Sequence, residues 1–396
     1  MKNLKYLLLV FLLFIMITPV NAEGINIRSN NAVLYNLNDN RIIYAKNKDQ
    51  KVSIASLTKL MTALVAIEHI DNLTDSVKFV KSDYENLAKQ DASSSSLKKN
   101  KTYTYEDLLY GLILESGADC ANALARLTYG NEQAFVAKMN EKARELGMNN
   151  TKFANPIGLD DKNNYSTVDD VAILLKEDLR NPILNTIINS LSYKLSDGTT
   201  ISHTIKWYMK ASKTKIPGIQ GGKTGYELKS GYALASIAEI NNTKLMLVTS
   251  KGKNRPDHII DAKNIYNYYF KNYSYFPIIK KGDTLVSLDT HNLNTNKIKI
   301  KAKEDIMYYL PKNYSKKEIR TEYNGLDTIT LGNKYNDKVG NLKIFYKNEL
   351  IMNYPIILDQ KIYPSNVITG LIMAITLLIV ILILTIGYRM NKRLEY

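Results

Sequence analysis

Cysteine is almost missing from this 396-residue chain: Cys120 stands alone. That excludes an internal disulfide framework and any cysteine-built zinc site. Histidine is also scarce. His69, His203, His258 and His291 fall in unrelated contexts with no His-x-x-Glu or Glu-x-x-His pair, so a histidine-built metal site is excluded and no metal or other cofactor is expected. Negative charge is short as well, with 38 Asp and Glu against 53 Lys and Arg and a net charge of +15. A basic balance favours a polyanionic surrounding: nucleic acid, anionic lipid or anionic wall polymer. The hydrophobic fraction of 45% and charged fraction of 23% are globular and exclude wholesale disorder or a fibrous repeat. At this length two folded domains are expected rather than one.

What is present at the two ends narrows the choice. Residues 1–22 carry Lys2 and Lys5, an apolar run from Tyr6 to Ile17, then Pro19 and the small-residue stretch Val20-Asn21-Ala22. This is the pattern of a secretory signal peptide, too short to span a bilayer comfortably and read as cleaved after Ala22. No cysteine follows it, so a lipoprotein anchor is not expected. At the other end, Val367 to Tyr388 is an uncharged run dominated by Ile and Leu. At about 1.5 Å per helical residue it covers a hydrocarbon core of about 30 Å. Arg389, Lys392 and Arg393 follow at once and place residues 389–396 in the cytoplasm. The expected protein is therefore single-pass, folded outside the cell membrane and tethered by its C-terminus. Nucleic acid is then excluded as a partner.

Between the anchors, residues 23–270 read as one domain. Ala32 to Lys46 has the alternation and Asn/Asp-rich turn of a β-hairpin, and Gly231 to Ser250 reads as a second hairpin around Asn241-Asn242. Ser56 to Ile70 has helical spacing with almost no charge, the mark of a deeply buried helix. Further helices are expected at 105–114, 118–129, 132–146, 167–179 and 261–270. Strands at both ends with helices between them imply an α/β (α+β) domain of mostly antiparallel sheet. From 271 to 361, Asn-rich turns and short alternating runs predict a small all-β domain with a basic surplus. Its expected role is a spacer, with wall or headgroup contact as an alternative use of the charge. The four serines from Ser93 to Ser96 read as a loop edge.

Three short motifs carry chemistry. In Ser56-Leu57-Thr58-Lys59 a spacing of three puts hydroxyl and amine on one helix face. A lysine in apolar surroundings loses stabilisation of its charge, so it can act as a base. Lys223-Thr224-Gly225 offers a cation and a hydroxyl for a carboxylate, with a glycine that admits close backbone approach. Ser116-Gly117-Ala118-Asp119, between two predicted helices, offers a third hydroxyl. Each alone is weak: S-x-x-K is also an ordinary helix cap and K-T-G an ordinary turn.

Together and in this order the motifs resemble those of penicillin-binding proteins and class A β-lactamases. The chain is most similar to the low-molecular-mass penicillin-binding proteins, the serine D-Ala-D-Ala carboxypeptidases of peptidase family S11. Leu146-Gly147-Met148, Asn155-Pro156-Ile157-Gly158-Leu159 and Tyr165-Ser166-Thr167 add to the likeness. The resemblance implies a penicillin-binding/serine β-lactamase-like transpeptidase fold and hydrolysis of the terminal D-alanine from peptidoglycan stem peptides, with β-lactams as covalent inhibitors. It implies Ser56 as acylated nucleophile, Lys59 as base and Ser116 as a proton bridge between Lys59 and Lys223. Lys223, Thr224 and Gly225 would lie along the substrate, with Lys223 and Thr224 on its carboxylate. The N–H groups of Ser56 and Tyr226 would form an oxyanion hole. Arg255, or His258 in competition, would also meet the carboxylate.

One departure stands out. The family's second motif is usually Ser-x-Asn, and Ala118 occupies the third position here, with Asp119 and Asn122 as candidate substitutes. Two competing readings remain. A serine β-lactamase would need a deacylating glutamate; Glu145 in Glu145-Leu-Gly-Met-Asn149 fits by letter but reads as helix surface. A degenerate fold that holds peptidoglycan without cutting it is supported only by Ala118.

Overall fold

The computed structural model describes residues 25–394 and divides into two compact units, 1–271 and 272–396. The predicted signal peptide over 1–22 lies outside the described residues. The first unit is organised by an antiparallel five-stranded sheet. Its strands are β1 (Asn31–Asn36), β2 (Arg41–Lys46), β3 (Ile219–Glu227), β4 (Gly231–Ile240) and β5 (Thr243–Gly252), in the order β2-β1-β5-β4-β3. Both predicted hairpins are present, and β3, which carries the K-T-G motif, forms an edge.

Strand alternation splits the sheet's side chains between two faces. Val33, Ala235, Ile237, Met246 and Val248 enter one core with the helices α1 (Thr58–Ile67), α2 (Tyr105–Leu114), α3 (Ala118–Tyr129), α4 (Glu132–Glu145) and α5 (Val168–Arg180). On the opposite face lies α6 (Asp257–Asn272), whose Tyr266 hydroxyl bonds to Ser236 and to the Leu247 amide. All ten residues of α1 are buried. Each buried Leu or Met there contributes roughly 1.5–3 kcal/mol of burial. Such a helix gives its residues little freedom to move, and its N-terminal end carries the serine-lysine pair.

Several helix ends shift from the expected ones by one to four residues, the serine-lysine helix among them, which ends at Ile67 rather than Ile70. Ser56 sits in a short 3-10 turn, Ala55–Leu57, and the α-helix begins at Thr58. The closing helix starts at Asp257 rather than at 261: the Asp257 carboxylate accepts the Asn254 N–H, which satisfies a donor at the helix start. A helix at Thr204–Ala211, absent from the sequence reading, packs beside β3.

The second unit is β-rich. Its strands are β6 (Tyr273–Ile279), β7 (Thr284–Thr290), β8 (Lys297–Lys301), β9 (Ile306–Pro311), β10 (Ile319–Gly325), β11 (Thr328–Ile329), β12 (Lys338–Tyr346) and β13 (Glu349–Ile357). They form the sheets β6-β9, β8-β7-β11 and β10-β12-β13 around Leu288, Ile298, Ile300, Ile344 and Ile356. A last helix, α7 (Asn366–Leu394), follows. Residues 366–387 of it are long and apolar enough to cross a membrane, and the most apolar window of that stretch has no buried residue.

Candidate active site

The turn at Ala55–Leu57 holds Ser56 in an unusual way. Ala55 has φ of +47°, a left-handed conformation that costs a non-glycine residue on the order of 1–2 kcal/mol. Such strain persists only where the surroundings over-determine it. Gly158 does so from one side: a Cβ there would lie 2.1 Å from the Ala55 carbonyl oxygen. Gly225 of β3 does so from the other, its absent Cβ 3.2 Å from the Ser56 nitrogen and 3.3 Å from Ile54 O. The serine is thus clamped between a loop and the edge strand, by two glycines that let backbone meet backbone.

Lys59 lies one turn on. Its Nζ donates to Ser56 Oγ at 2.9 Å and to the Ile157 carbonyl at 2.6 Å. It is 1% exposed, and burial pulls its pKa down to about 7, against the opposing fields of Asp119 and Glu227. The predicted same-face pairing therefore exists, with the amine near the point of losing its proton at neutral pH. Sequence reasoning did not foresee the part played by the loop from Asn155 to Leu159. Asn155 Oδ1 accepts from the Gly158 and Leu159 amides. That fold turns Ile157 O toward Lys59 and Pro156 O toward Thr62 Oγ1, which donates at 2.6 Å. The loop was visible as a family-like string; its function passes through carbonyls, which side-chain reasoning does not reach.

Ser116 occupies the loop between α2 and α3 with φ of +62° and is 6% exposed. No hydrogen bond joins its hydroxyl to Lys59 or Lys223 among the described residues. The serine-rich loop before it contributes more than a loop edge: Ser93 Oγ donates to Ser116 O at 2.5 Å, and the Ala118 amide donates to Ser93 O at 2.8 Å. Asp119 is spent on the same loop. Its carboxylate accepts from Ser95 N, Ser95 Oγ and Cys120 N, while burial raises its pKa. It reaches Lys59 through its field alone. Asn122 turns away and donates to Asp83 O at 3.2 Å. Neither of the two candidate substitutes presents a free amide beside the serine-lysine pair.

On β3, Lys223 is fully buried and donates to Thr224 O at 2.9 Å. Burial, then the like charge of Lys59, pulls its pKa well down. No carboxylate pairs with it among the described residues, so a carboxylate entering here would meet an unmatched amine. Thr224 shares a 2.7 Å hydrogen bond with Thr204 at the start of the unforeseen helix. His203 precedes that helix, fully buried and held neutral: burial lowers its pKa to about 4. Its Nδ1 accepts the Ile205 amide and its Nε2 therefore donates to Gly222 O at 2.8 Å, hooking the start of the K-T-G segment.

Beyond Gly225 the surface becomes aromatic and open. Tyr226, 44% exposed, stacks on Tyr232, and Tyr232 stacks on His258. Arg255 is exposed and lies 4.9 Å over the Trp207 ring. The two competitors for the carboxylate thus differ sharply. His258 is fully buried, wedged edge-on against Tyr208, and burial lowers its pKa to about 4. Only Arg255 offers a cation at the surface. Glu227, also overlooked, has a pKa raised to about 7 by burial and by Asp160, against the field of Lys59. Glu145 is paired with Lys142 at 2.8 Å on the outside of α4, a helix-surface position.

Residues 18–254 match the sequence profile of D-alanyl-D-alanine carboxypeptidases, and residues 273–363 that of the penicillin-binding protein 5 C-terminal domain. The chain is 26% identical over 351 residues to the D-alanyl-D-alanine carboxypeptidase DacF of Bacillus subtilis, covering 86% of this chain and 87% of the relative. It is 30% identical over 303 residues to the D-alanyl-D-alanine carboxypeptidase DacA of Haemophilus influenzae, covering 74% of each. Penicillin-binding protein 5 from Haemophilus influenzae superposes with a TM-score of 0.67 at 25% identity, over 85% of this chain and 98% of that one. The Streptomyces K15 DD-transpeptidase matches a smaller part, 62% of this chain, with a TM-score of 0.56 at 27% identity.

Proposed function

The chain belongs to the D-alanyl-D-alanine carboxypeptidase family and acts on peptidoglycan, and from that premise we propose that Ser56 is its acylated nucleophile and Lys59 the base. The observation that carries this is the 2.9 Å bond from Lys59 Nζ to Ser56 Oγ in a site that lowers the lysine's pKa to about 7. Neutral Lys59 takes the Ser56 proton as Oγ attacks the carbonyl carbon of the scissile D-Ala-D-Ala bond. The oxyanion that forms is held by the Ser56 and Tyr226 amides, a donor set worth a few kcal/mol of barrier. As the tetrahedral species collapses, the C–N bond breaks. The proton passes to the departing D-alanine amine through Ser116, whose bridging contacts to Lys59 and Lys223 form with substrate in place. Water then attacks the acyl-enzyme with Lys59 again as base, releasing the shortened stem and restoring Ser56.

Lys223 and Thr224 bind the terminal carboxylate, with Arg255 as the outer cation. The incoming carboxylate supplies the counter-charge that buried Lys223 lacks. A β-lactam enters by the same route and stops at the acyl-enzyme. We assign 23–270 to catalysis and 271–361 to the β-rich domain, with 1–22 as the cleaved leader. Residues 367–388 then form a single span that leaves catalysis outside and 389–396 in the cytoplasm; the exposed apolar helix is consistent with such an anchor.

Labelling by a fluorescent penicillin, paired with D-alanine release, tests the assignment. Ser56→Ala should abolish both while the protein still folds. A penicillin adduct mapped by mass spectrometry to any other serine would overturn it.

A further inference from the structure

The membrane helix does not leave the β-rich unit through a loose tether. The segment just before it is paired back onto the unit: Ser365 N donates to Asn292 O at 2.9 Å, Asn294 N donates to Tyr363 O at 3.1 Å, and Leu293 bridges Pro364. Helix α7 begins at the next residue, Asn366, and its first turn is hydrogen-bonded to Ser365. Ile368 in that turn is half-buried, whereas Val367 and Leu371 are exposed. The apolar stretch starts with Val367, so only Asn366 separates the paired segment from it.

That continuity fixes a height. Segments paired side by side lie about 4.8 Å apart. The headgroup layer on each side of a bilayer is about 5–7 Å thick, half the difference between about 40–45 Å overall and about 30 Å of hydrocarbon. Residues 291–294 therefore sit within that layer if α7 spans. The 330–336 loop adjoins them, because His291 N donates to Ile329 O and Asn336 N to Leu358 O in the segment that runs down to Tyr363. These segments carry apolar and aromatic side chains that a solvated turn does not need. Leu331 is 44% exposed, Tyr335 52% and Tyr363 55%. Charge around them is mixed, Lys334 and Lys361 against Asp337 and Asp359, so attraction to anionic lipid is not the main force. Tyrosine favours the membrane interface because its ring is apolar and its hydroxyl wet.

We infer that this end of the β-rich unit is a bilayer-contacting surface, with Leu331, Tyr335 and Tyr363 seated among the lipid headgroups. The unit then stands on the membrane in a fixed attitude. This rests on α7 spanning the bilayer, and it holds for either orientation of the helix.

The test uses the full-length chain in vesicles of phosphatidylethanolamine and phosphatidylglycerol, with a polarity-sensitive fluorophore on single introduced cysteines in a Cys120→Ala background. Leu331→Cys, Tyr335→Cys and Tyr363→Cys are compared with Leu350→Cys, which is exposed but about 23 Å along β13 from its Ile357 end, at about 3.3 Å per residue. Leu382→Cys, within the apolar helix, reports the span itself. Shallow nitroxide lipids should quench the first three labels severalfold more than the label at 350, and the contrast should survive high salt. Quenching at 331 and 335 no greater than at 350, with 382 quenched by deep nitroxides, would overturn the surface. A label at 382 that no lipid quencher reaches would overturn the spanning helix, and the surface with it.

Discussion

The proposed nucleophile side of the candidate site and its proposed recognition side are built by opposite means. On the first, Ser56, Lys59 and the 155–159 loop are bonded to one another through short contacts to backbone carbonyls, and the left-handed Ala55 is locked by Gly158. On the second, Lys223 has a carbonyl for company and no acid among the described residues, Tyr226 is 44% exposed, and Arg255 rests on the face of Trp207. Bond-making geometry is thus set before substrate arrives, where misplacement is expensive. Charge recognition stays incomplete until a carboxylate enters. On the proposed roles, a site arranged this way would be acylated by a compact acyl donor that brings a carboxylate to Lys223, as a stem peptide and a penicillin both do.

The sharpest way to break the comparison is to loosen the pre-built side alone. Gly158→Ala places a methyl 2.1 Å from Ala55 O, so the turn carrying Ser56 must shift. A displacement of about 1 Å at a reacting atom costs on the order of a hundredfold, and penicillin acylation should fall by about that much. Gly147→Ala is the control: it has φ of +74° but open space where the methyl would go. It should lose about 1–2 kcal/mol of stability from backbone strain and keep its acylation rate. Equal acylation by the two variants, measured by stopped-flow labelling, would show that the clamp is not what positions Ser56.

The second way is to protonate the base. As the proposed base, Lys59 would have to be neutral to accept the Ser56 proton, and its pKa is lowered to about 7. Acylation should fall about tenfold per pH unit below that point, as expected for a single required deprotonation. Glu227, itself raised to about 7, faces Lys59 from β3, so the two titrate as a coupled set with Asp119 and Lys223. Glu227→Gln removes a negative neighbour and should move the acidic limb to lower pH; a move to higher pH would contradict the assigned base. Stability follows the same ionisation. Unfolded Lys59 holds its proton up to its ordinary value of 10.5, whereas the folded one releases it near 7. The unfolded state binds more protons between those values, so this group's contribution to stability rises with pH across that window and is flat below it.

The pre-built side was also the more legible one. A spacing of three along an uncharged helix is enough to predict that Ser56 and Lys59 meet, and they do; the family likeness of the flanking strings supplied the expectations for the other residues. What escaped works through the backbone or at short range. The carbonyl of Ile157, the His203 hook on Gly222 and the eight-residue helix at Thr204–Ala211 leave no periodic trace long enough to separate from a loop. The serine run 93–96 looked like a loop edge because nothing in its letters says that Asp119, 24 residues away, will bond to it.

The recognition side should yield a smaller effect of a different kind. If Arg255 meets the substrate carboxylate as proposed, that contact exists in ground state and transition state alike, so Arg255→Ala should raise KM for a D-Ala-D-Ala peptide about tenfold with little change in kcat. His258→Ala removes a buried ring stacked on Tyr232 and should lower Tm, leaving KM near its starting value if the protein folds. The reverse pattern would give the carboxylate to His258.

The smallest effect expected is a gain, and it tests whether the two sides are joined as well as they can be. Ala118 is fully buried at the start of α3, two residues after Ser116, at the position where the resembled family usually has an asparagine. An amide there would donate to the substrate peptide and accept from Lys59, linking recognition to chemistry. Asp119 and Asn122 were the candidates to stand in for it, but one is bonded into the 93–96 loop and the other to Asp83 O. Neither of these two residues therefore supplies the link. A net hydrogen bond of about 1 kcal/mol corresponds to about fivefold in rate, since about 1.4 kcal/mol is a decade. Ala118→Asn should raise D-alanine release severalfold while penicillin acylation changes less, because a β-lactam depends less on contacts along a peptide. Asp119→Ala should lower Tm by freeing the Ser95 loop. If Ala118→Asn slows turnover instead, the packing around residue 118 leaves no room for an amide, and this chain has closed the space its relatives use.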